Sequence, residues 1–148
     1  MAAQLKLHNK SIAIAESLSG GLACSSLVSL PGISAYLKAG VVAYSEEAKA
    51  SILAVDLDSL PERKVVSAKC AEAMLVGLEK LITTDLGLSL TGNAGPEASS
   101  GEAVGRVFIG ARNGEKYLVR EYNFSGNREE IRIKAVISAY RLILELLN

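Results

Sequence analysis

Two hydroxyls, Ser17 and Ser19, sit where an apolar run ends in a polar, glycine-bearing turn, Ile14-Ala15-Glu16-Ser17-Leu18-Ser19-Gly20-Gly21. An apolar-periodic segment follows, so the turn reads as the junction of a strand and a helix. In an open α/β sheet, ligands sit beyond the carboxyl ends of the strands. Free N–H groups at a helix N-terminus there favour an anion or a developing oxyanion. Ser17, Ser19, Gly20 and Gly21 are therefore candidates to touch a substrate. A second turn of the same kind, Leu90-Thr91-Gly92-Asn93-Ala94-Gly95-Pro96, follows the apolar stretch 86–90 and adds Thr91, Gly92, Asn93 and Gly95. Neither turn is a dinucleotide fingerprint, since no GxGxxG follows the first strand. Neither is a Walker loop, since no Gly-Lys-Ser/Thr follows the glycines.

A hydroxyl attacks only with help from a base, and the composition restricts that base. The single histidine, His8, lies near the N-terminus and outside both turns. A Ser-His-Asp triad, a Cys-His dyad and a histidine-rich zinc site each need a histidine in the site, so all three are disfavoured. For hydrolysis this favours lysine, tyrosine or a carboxylate as the base.

The elements that must position these groups come from one ordinary core. A chain of 148 residues, 49% hydrophobic, is expected to form a single domain over 1–148. Sixteen basic and sixteen acidic side chains cancel, which leaves no field to recruit nucleic acid. No apolar run approaches the roughly 18 residues that span a bilayer, so no membrane partner is expected. Cys24 and Cys70 fall in helix-like segments at no metal-ligand spacing. With no signal peptide visible, they read as reduced core thiols of a cytoplasmic protein.

Along the chain, residues 1–10 read as a short helix or fray, 11–15 as a buried strand and 22–30 as a helix stopped by Pro31-Gly32. A second strand over 36–44 leads into a short helix over 46–53 that carries Lys49, and 56–64 read as a loop or single turn. Ser67 is a good N-cap for a helix over 68–83, whose Ala71, Met74, Leu75, Leu78 and Ile82 recur at helical spacing. A third strand over 86–90 enters the second turn, and 97–102 read as a flexible polar loop. Segments 104–111 and 117–124 form a hairpin about Asn113-Gly114, the pair that a type I′ turn favours. The last helix starts near Asn127-Arg128-Glu129-Glu130 and runs to Leu147. Early alternation followed by a hairpin gives a three-layer α/β/α sandwich around a mixed sheet of about five strands, its C-terminal part antiparallel.

The chain resembles the C-terminal domain of the competence-damage-inducible protein CinA, which also occurs alone as the nicotinamide mononucleotide deamidase. The motifs that carry the resemblance are Ala15-Glu16-Ser17-Leu18-Ser19-Gly20-Gly21, Pro31-Gly32-Ile33-Ser34, Gly40-Val41-Val42-Ala43-Tyr44-Ser45 with Lys49, and Val66-Ser67. Thr91-Gly92-Asn93-Ala94-Gly95-Pro96, Val104-Gly105 and Phe124-Ser125-Gly126-Asn127-Arg128 complete them, over roughly residues 12–146. The resemblance implies a three-layer mixed α/β sandwich that hydrolyses the carboxamide of nicotinamide mononucleotide to the acid plus ammonia. It implies a serine and a lysine as the catalytic groups, with no metal and no cofactor. Carried over by position, the polar set is Ser17, Ser34, Tyr44, Lys49, Thr91 and Arg128. The sequence departs from the family pattern at Asn93, where an aliphatic residue is common, and at Arg106, where threonine is common. It departs also at Glu97-Ala98-Ser99-Ser100, in place of a glycine-rich stretch, at Gly126-Asn127-Arg128, in place of Gly-Asp-Arg, and in a first helix shortened to about ten residues.

Amide hydrolysis needs a nucleophile, a base that takes its proton and returns it to the leaving ammonia, and donors for the oxyanion. Under the resemblance, Ser17 and Ser34 are equal candidates for the attack, with the other holding substrate. Lys49 serves as base only if neutral, a state that burial and a nearby cation such as the pyridinium ring would favour. Tyr44 relays a proton or fixes Lys49, with Glu16 as a substitute base. Thr91 and the N–H groups of residues 92–95 hold the amide oxygen or the ribose. Arg128, at the start of the last helix, binds the phosphate. The expected partner is thus a small phosphorylated nucleotide, and the hairpin edge with an apolar C-terminal helix suggests a homo-oligomer. The alternative is a CinA-like domain that binds such a ligand without turning it over.

Overall fold

The computed structural model describes residues 1–98 and 101–148; Ser99 and Ser100, part of the expected polar loop and of the departure at 97–100, lie outside the described residues. The strands are β1 (Ile12–Glu16), β2 (Leu37–Val42), β3 (Leu86–Gly92), β4 (Arg106–Asn113) and β5 (Lys116–Asn123). The α-helices are α1 (Ala2–Leu7), α2 (Leu22–Val28), α3 (Glu46–Leu53), α4 (Ala68–Leu81) and α5 (Arg128–Leu147). Two short 3-10 turns, Leu57–Ser59 and Pro61–Arg63, fill the segment read as a loop.

One sheet of order β2-β1-β3-β4-β5 forms the middle layer, parallel over β2, β1 and β3 and antiparallel over β4 and β5. Alternation along each strand separates two cores. Ile12, Ile14, Leu86, Leu88, Leu90, Val107, Ile109 and Ala111 face Leu27 of α2 and Ile131, Ala135, Leu142 and Ile143 of α5. Ala13 and Ala15 face Leu53 of α3 and Cys70, Met74 and Leu78 of α4. The sandwich is therefore α/β/α, as the sequence indicates. Small residues on the second face let α4 come close: Ser89 donates to the Ala71 carbonyl at 2.7 Å, and a Cβ at Gly110 would press on Leu75. Among the described residues no helix is long and apolar enough to cross a membrane.

The strand order creates the crevice. From β1 the chain crosses through α2 to β2 on one side, then returns through α3 and α4 on the opposite face to β3 on the other side. The carboxyl ends of β1 and β3 thus flank a topological switch point, the place where ligands enter open α/β sheets.

Three local expectations are corrected. The hairpin turn has Gly114-Glu115 at its centre, since Asn113 already pairs with Lys116. Gly114 lies at φ +57° while Glu115 keeps an ordinary φ, the pattern of a II′ rather than a I′ turn. Glu102 is not part of a solvated polar loop but is 2% exposed, with ion pairs to Arg106 at 2.7 Å and Lys64 at 3.4 Å. Cys70 is fully buried, whereas Cys24 is only half-buried, over Gly40.

Gly77 of α4 allows α3 to end directly against it, because a Cβ there would overlap the Leu53 carbonyl oxygen. Gly77→Ala should destabilise the protein by about 2–3 kcal/mol in urea unfolding through forced overpacking. A midpoint within error of the parent would show that the α3–α4 crossing yields freely.

Candidate active site

The two turns singled out by the sequence converge. Ser17 directly follows β1 and Thr91 lies near the end of β3, and the Ser17 N–H donates to the Leu90 carbonyl at 2.9 Å. Between them opens a cleft of about 450 Å³ lined by residues that include Ser17, Tyr44, Lys49, Thr91, Asn93 and Arg128.

Lys49 reaches this cleft because Ser45 caps α3, accepting the Ala48 N–H at 3.0 Å. That cap starts the helix directly after β2 and turns the next helical turn back over β1. The Lys49 side chain is 2% exposed, with Nζ 2.9 Å from Ser17 Oγ and 3.1 Å from the Ala43 carbonyl. Burial pushes its pKa down, against the smaller opposing influence of Cys70 and Glu46. Cys70, held neutral by the same burial with its pKa raised to about 11, adds no thiolate beside it. Lys49 is thus a desolvated amine aimed at a hydroxyl 6% exposed, the pairing that serine–lysine chemistry requires.

Glu16 explains why the rest of the first turn behaves differently. Its buried carboxylate accepts the N–H groups of Gly21, Ala23 and Cys24 at 3.1, 3.0 and 2.8 Å. The N-terminus of α2, expected to be free for an anion, is occupied by the protein's own carboxylate. Gly20 and Gly21, at φ +60° and +93°, shape this turn and are not among the cleft-lining residues. Ser19 is fully buried away from the cleft, and its carbonyl takes the Arg132 guanidinium at 2.7 Å. Glu16 is likewise engaged and not placed to act as a base.

Ser34 is not brought to the cleft. It sits exposed on a 3-10 turn before β2, and because Leu37 pairs with Ile12, this turn lies at the amino end of β1. A strand of this length puts it roughly 17 Å from Ser17. In one chain, Ser17 alone of the two candidates contacts Lys49.

On the opposite wall, Thr91 Oγ1 donates to the Val65 carbonyl at 2.6 Å, which leaves the hydroxyl as an acceptor towards the cleft. Asn93 is turned inward: Nδ2 donates to the Glu97 and Glu102 carbonyls at 3.2 and 3.0 Å, and Oδ1 accepts the Gly95 N–H at 2.9 Å. Its side chain holds the wall rather than presenting free polar groups. The backbone N–H groups of Leu18 and Ala94, both cleft-lining residues, make no hydrogen bond among the described residues and remain as donors. At the mouth, Arg128 donates to the Gly95 carbonyl and to Tyr44 Oη, the latter at 2.8 Å. Asn127 and Glu130 form a capping box that fixes Arg128 as the first residue of α5. Among the described residues no group of three or more His, Cys, Asp and Glu side chains converges on a metal position.

Sequence reasoning missed Leu18, Glu46, Val65, Val66 and Glu97 as cleft residues. Glu46 was discoverable, since it begins α3 one turn before Lys49 and positions i and i+3 share a helix face. Val65 and Val66 carry no comparable signal, lying in an irregular segment whose path depends on tertiary contacts.

The model of the CinA C-terminal domain family matches residues 1–147. The chain belongs to this family. A Bacillus velezensis relative whose name refers to competence-damage induction is 42% identical over 137 residues, 93% of this chain and 33% of its own. A CinA-like protein of Thermosipho melanesiensis is 38% identical over 146 residues, 97% of this chain and 36% of its own. The chain thus spans about a third of the length of the relatives it matches. Crystal structures of a CinA superfamily protein from Klebsiella pneumoniae and of the competence/damage inducible protein CihA from Agrobacterium tumefaciens superpose with TM-scores of 0.94 and 0.93. Their identities are 28% and 27%, and the matches cover 99% of this chain and 92% and 91% of those chains.

Burial of Lys49 has a consequence for stability. Its pKa is below the ordinary 10.5 in the folded protein, so between the two values the unfolded chain binds more protons and folding becomes more favourable as pH rises. The penalty is complete below the lowered value and gone above the ordinary one. The stability of the parent relative to Lys49→Met should therefore increase with pH across that interval in urea unfolding. A difference that stays flat up to pH 10.5 would show that Lys49 titrates normally.

Proposed function

We propose that this CinA-family domain is a carboxamide hydrolase that converts nicotinamide mononucleotide to the corresponding acid and ammonia. The observation that carries the reading is the buried contact of 2.9 Å between Lys49 Nζ and Ser17 Oγ at the floor of the cleft. In the deprotonated amine the direction of that hydrogen bond reverses, so Lys49 accepts the Ser17 proton as Oγ attacks the amide carbon. The C–N bond then breaks, Lys49 returns the proton to the departing ammonia, and an acyl-serine remains. Water attacks the acyl carbon with Lys49 again as base, and the acid leaves as Ser17 regains its proton. Backbone N–H groups of Leu18 and Ala94, at the ends of adjacent strands, are suited to hold the oxyanion. Arg128 is suited to the phosphate, held at the mouth by Gly95 and Tyr44 with the dipole of α5 behind it. Tyr44 supports this arginine rather than Lys49.

Ammonia release from nicotinamide mononucleotide tests the proposal. A folded protein that binds the nucleotide but releases no ammonia would instead favour a binding domain. Ser17→Ala should abolish turnover. Lys49→Arg should lower kcat by several orders of magnitude with binding largely retained, since arginine stays protonated and cannot accept the serine proton. The parent kcat/KM should rise with pH through the depressed Lys49 pKa. Turnover that survives Ser17→Ala but not Ser34→Ala would move the attack to a serine supplied by a second copy of the chain. Arg128→Ala should raise KM roughly ten- to a hundredfold, with kcat less affected, as expected for loss of a charge-assisted phosphate contact.

A further inference from the structure

Two carboxylates, Glu46 and Glu97, line the same cleft as Lys49 and Arg128. Glu46 is the first residue of α3, exposed, and one helical turn from Lys49 on the same face. Among the described residues it makes no ion pair and no side-chain hydrogen bond, while Arg128 is tied to Gly95 and Tyr44. From floor to mouth the cleft therefore offers a desolvated amine, a carboxylate without a partner beside it, and a fixed guanidinium. We propose that Glu46 reads the positive charge of the substrate's ring and makes the cleft selective for cationic carboxamides over neutral ones, a step that rests on the amidase reading.

The placement is otherwise a liability. The groups that face Lys49 are Glu46 on its own helix, Cys70 on α4, Ser17 after β1, and Tyr44, Glu97 and Arg128 around the cleft. Of these, Glu46 favours the charged lysine, against the burial that favours the neutral base, and Cys70 would add to it only as a thiolate. A cation seated against Glu46 offsets the carboxylate's field, so the ligand that needs the base also helps to discharge it. Loss of the Lys49 proton then accompanies binding of a positively charged amide. A neutral ring leaves Glu46 acting on Lys49 unopposed.

The test compares nicotinamide mononucleotide with its reduced 1,4-dihydro form, which keeps the phosphate and carboxamide but has an uncharged ring. Calorimetric binding is measured on Ser17→Ala protein, where no turnover intervenes, alone and combined with Glu46→Gln or Glu46→Asp. Glu46→Gln should weaken the cationic ligand about fivefold and leave the neutral one unchanged, and Glu46→Asp should restore most of the preference. The change on substitution is the readout, because ring shape affects all three proteins alike. In turnover with Ser17 present, Glu46→Gln should also move the acid limb of kcat/KM to lower pH, towards the limb of kcat. Equal weakening of both ligands, or an unchanged preference, overturns the proposal. If the parent releases no ammonia, the amidase reading fails while the binding comparison still decides the role of Glu46.

Discussion

Burial of one amine organises the site. A lysine that is 2% exposed is costly as a cation, and what holds Lys49 in place is the capped start of α3, the Ala43 carbonyl and Ser17 Oγ. Each of these depends on β1 and β2 ending in register, because Glu16 pairs with Val42 and the Ala43 N–H donates to the Glu16 carbonyl at 2.8 Å. The α3–α4 crossing at Gly77 presses the helix down onto this register. Stability and chemistry are opposed at this position, since the same desolvation that lowers the Lys49 pKa weakens the fold below that pKa.

Glu16 solves a second problem next to the first. A carboxylate fully buried beneath the turn, with three backbone N–H groups around it, fixes the main chain that carries Ser17. Three hydrogen bonds onto one side chain tie the turn to the start of α2. The consequence is a division of labour within Glu16-Ser17: one side chain turns back to hold α2, and its neighbour points forward to Lys49. The N-terminus of α2 is thereby structural, and the guanidinium that stands at a helix start beside the cleft is Arg128 of α5.

What was legible in the sequence followed from periodicity and from short-range chemistry. The alternation of Ile12 and Ile14 with Ala13 and Ala15 assigns the two faces of β1, and the caps Ser67 and Asn127 sit where the helices begin. The same local signals cannot show what a polar side chain meets across the fold. Ser19 and Asn93 carry groups suited to a substrate, yet one is buried behind the turn and the other is bonded into its own loop. Ser34 and Ser17 were indistinguishable as turn serines; strand register separates them, since one precedes β2 and the other follows β1. The hairpin was visible as Asn-Gly, but pairing of Asn113 with Lys116 shifted the turn by one residue.

The departures from the family pattern fall largely within one bonded unit rather than at Ser17, Lys49 or Thr91. Asn93 ties the carbonyls of Glu97 and Glu102, Glu102 pairs with Arg106 and Lys64, and Arg106 continues to Glu121 at 2.9 Å on β5. A polar residue at 93 has its hydrogen-bond partners in the loop that follows it, and an arginine at 106 compensates a carboxylate that is otherwise buried without a close cation on β4. Glu102 links the two positions, its carbonyl accepting from Asn93 and its carboxylate pairing with Arg106. Asn93 and Glu97 bring this unit to the wall of the cleft, whereas Ser17, Lys49 and Thr91 are carried there by the end of β1, by α3 and by β3.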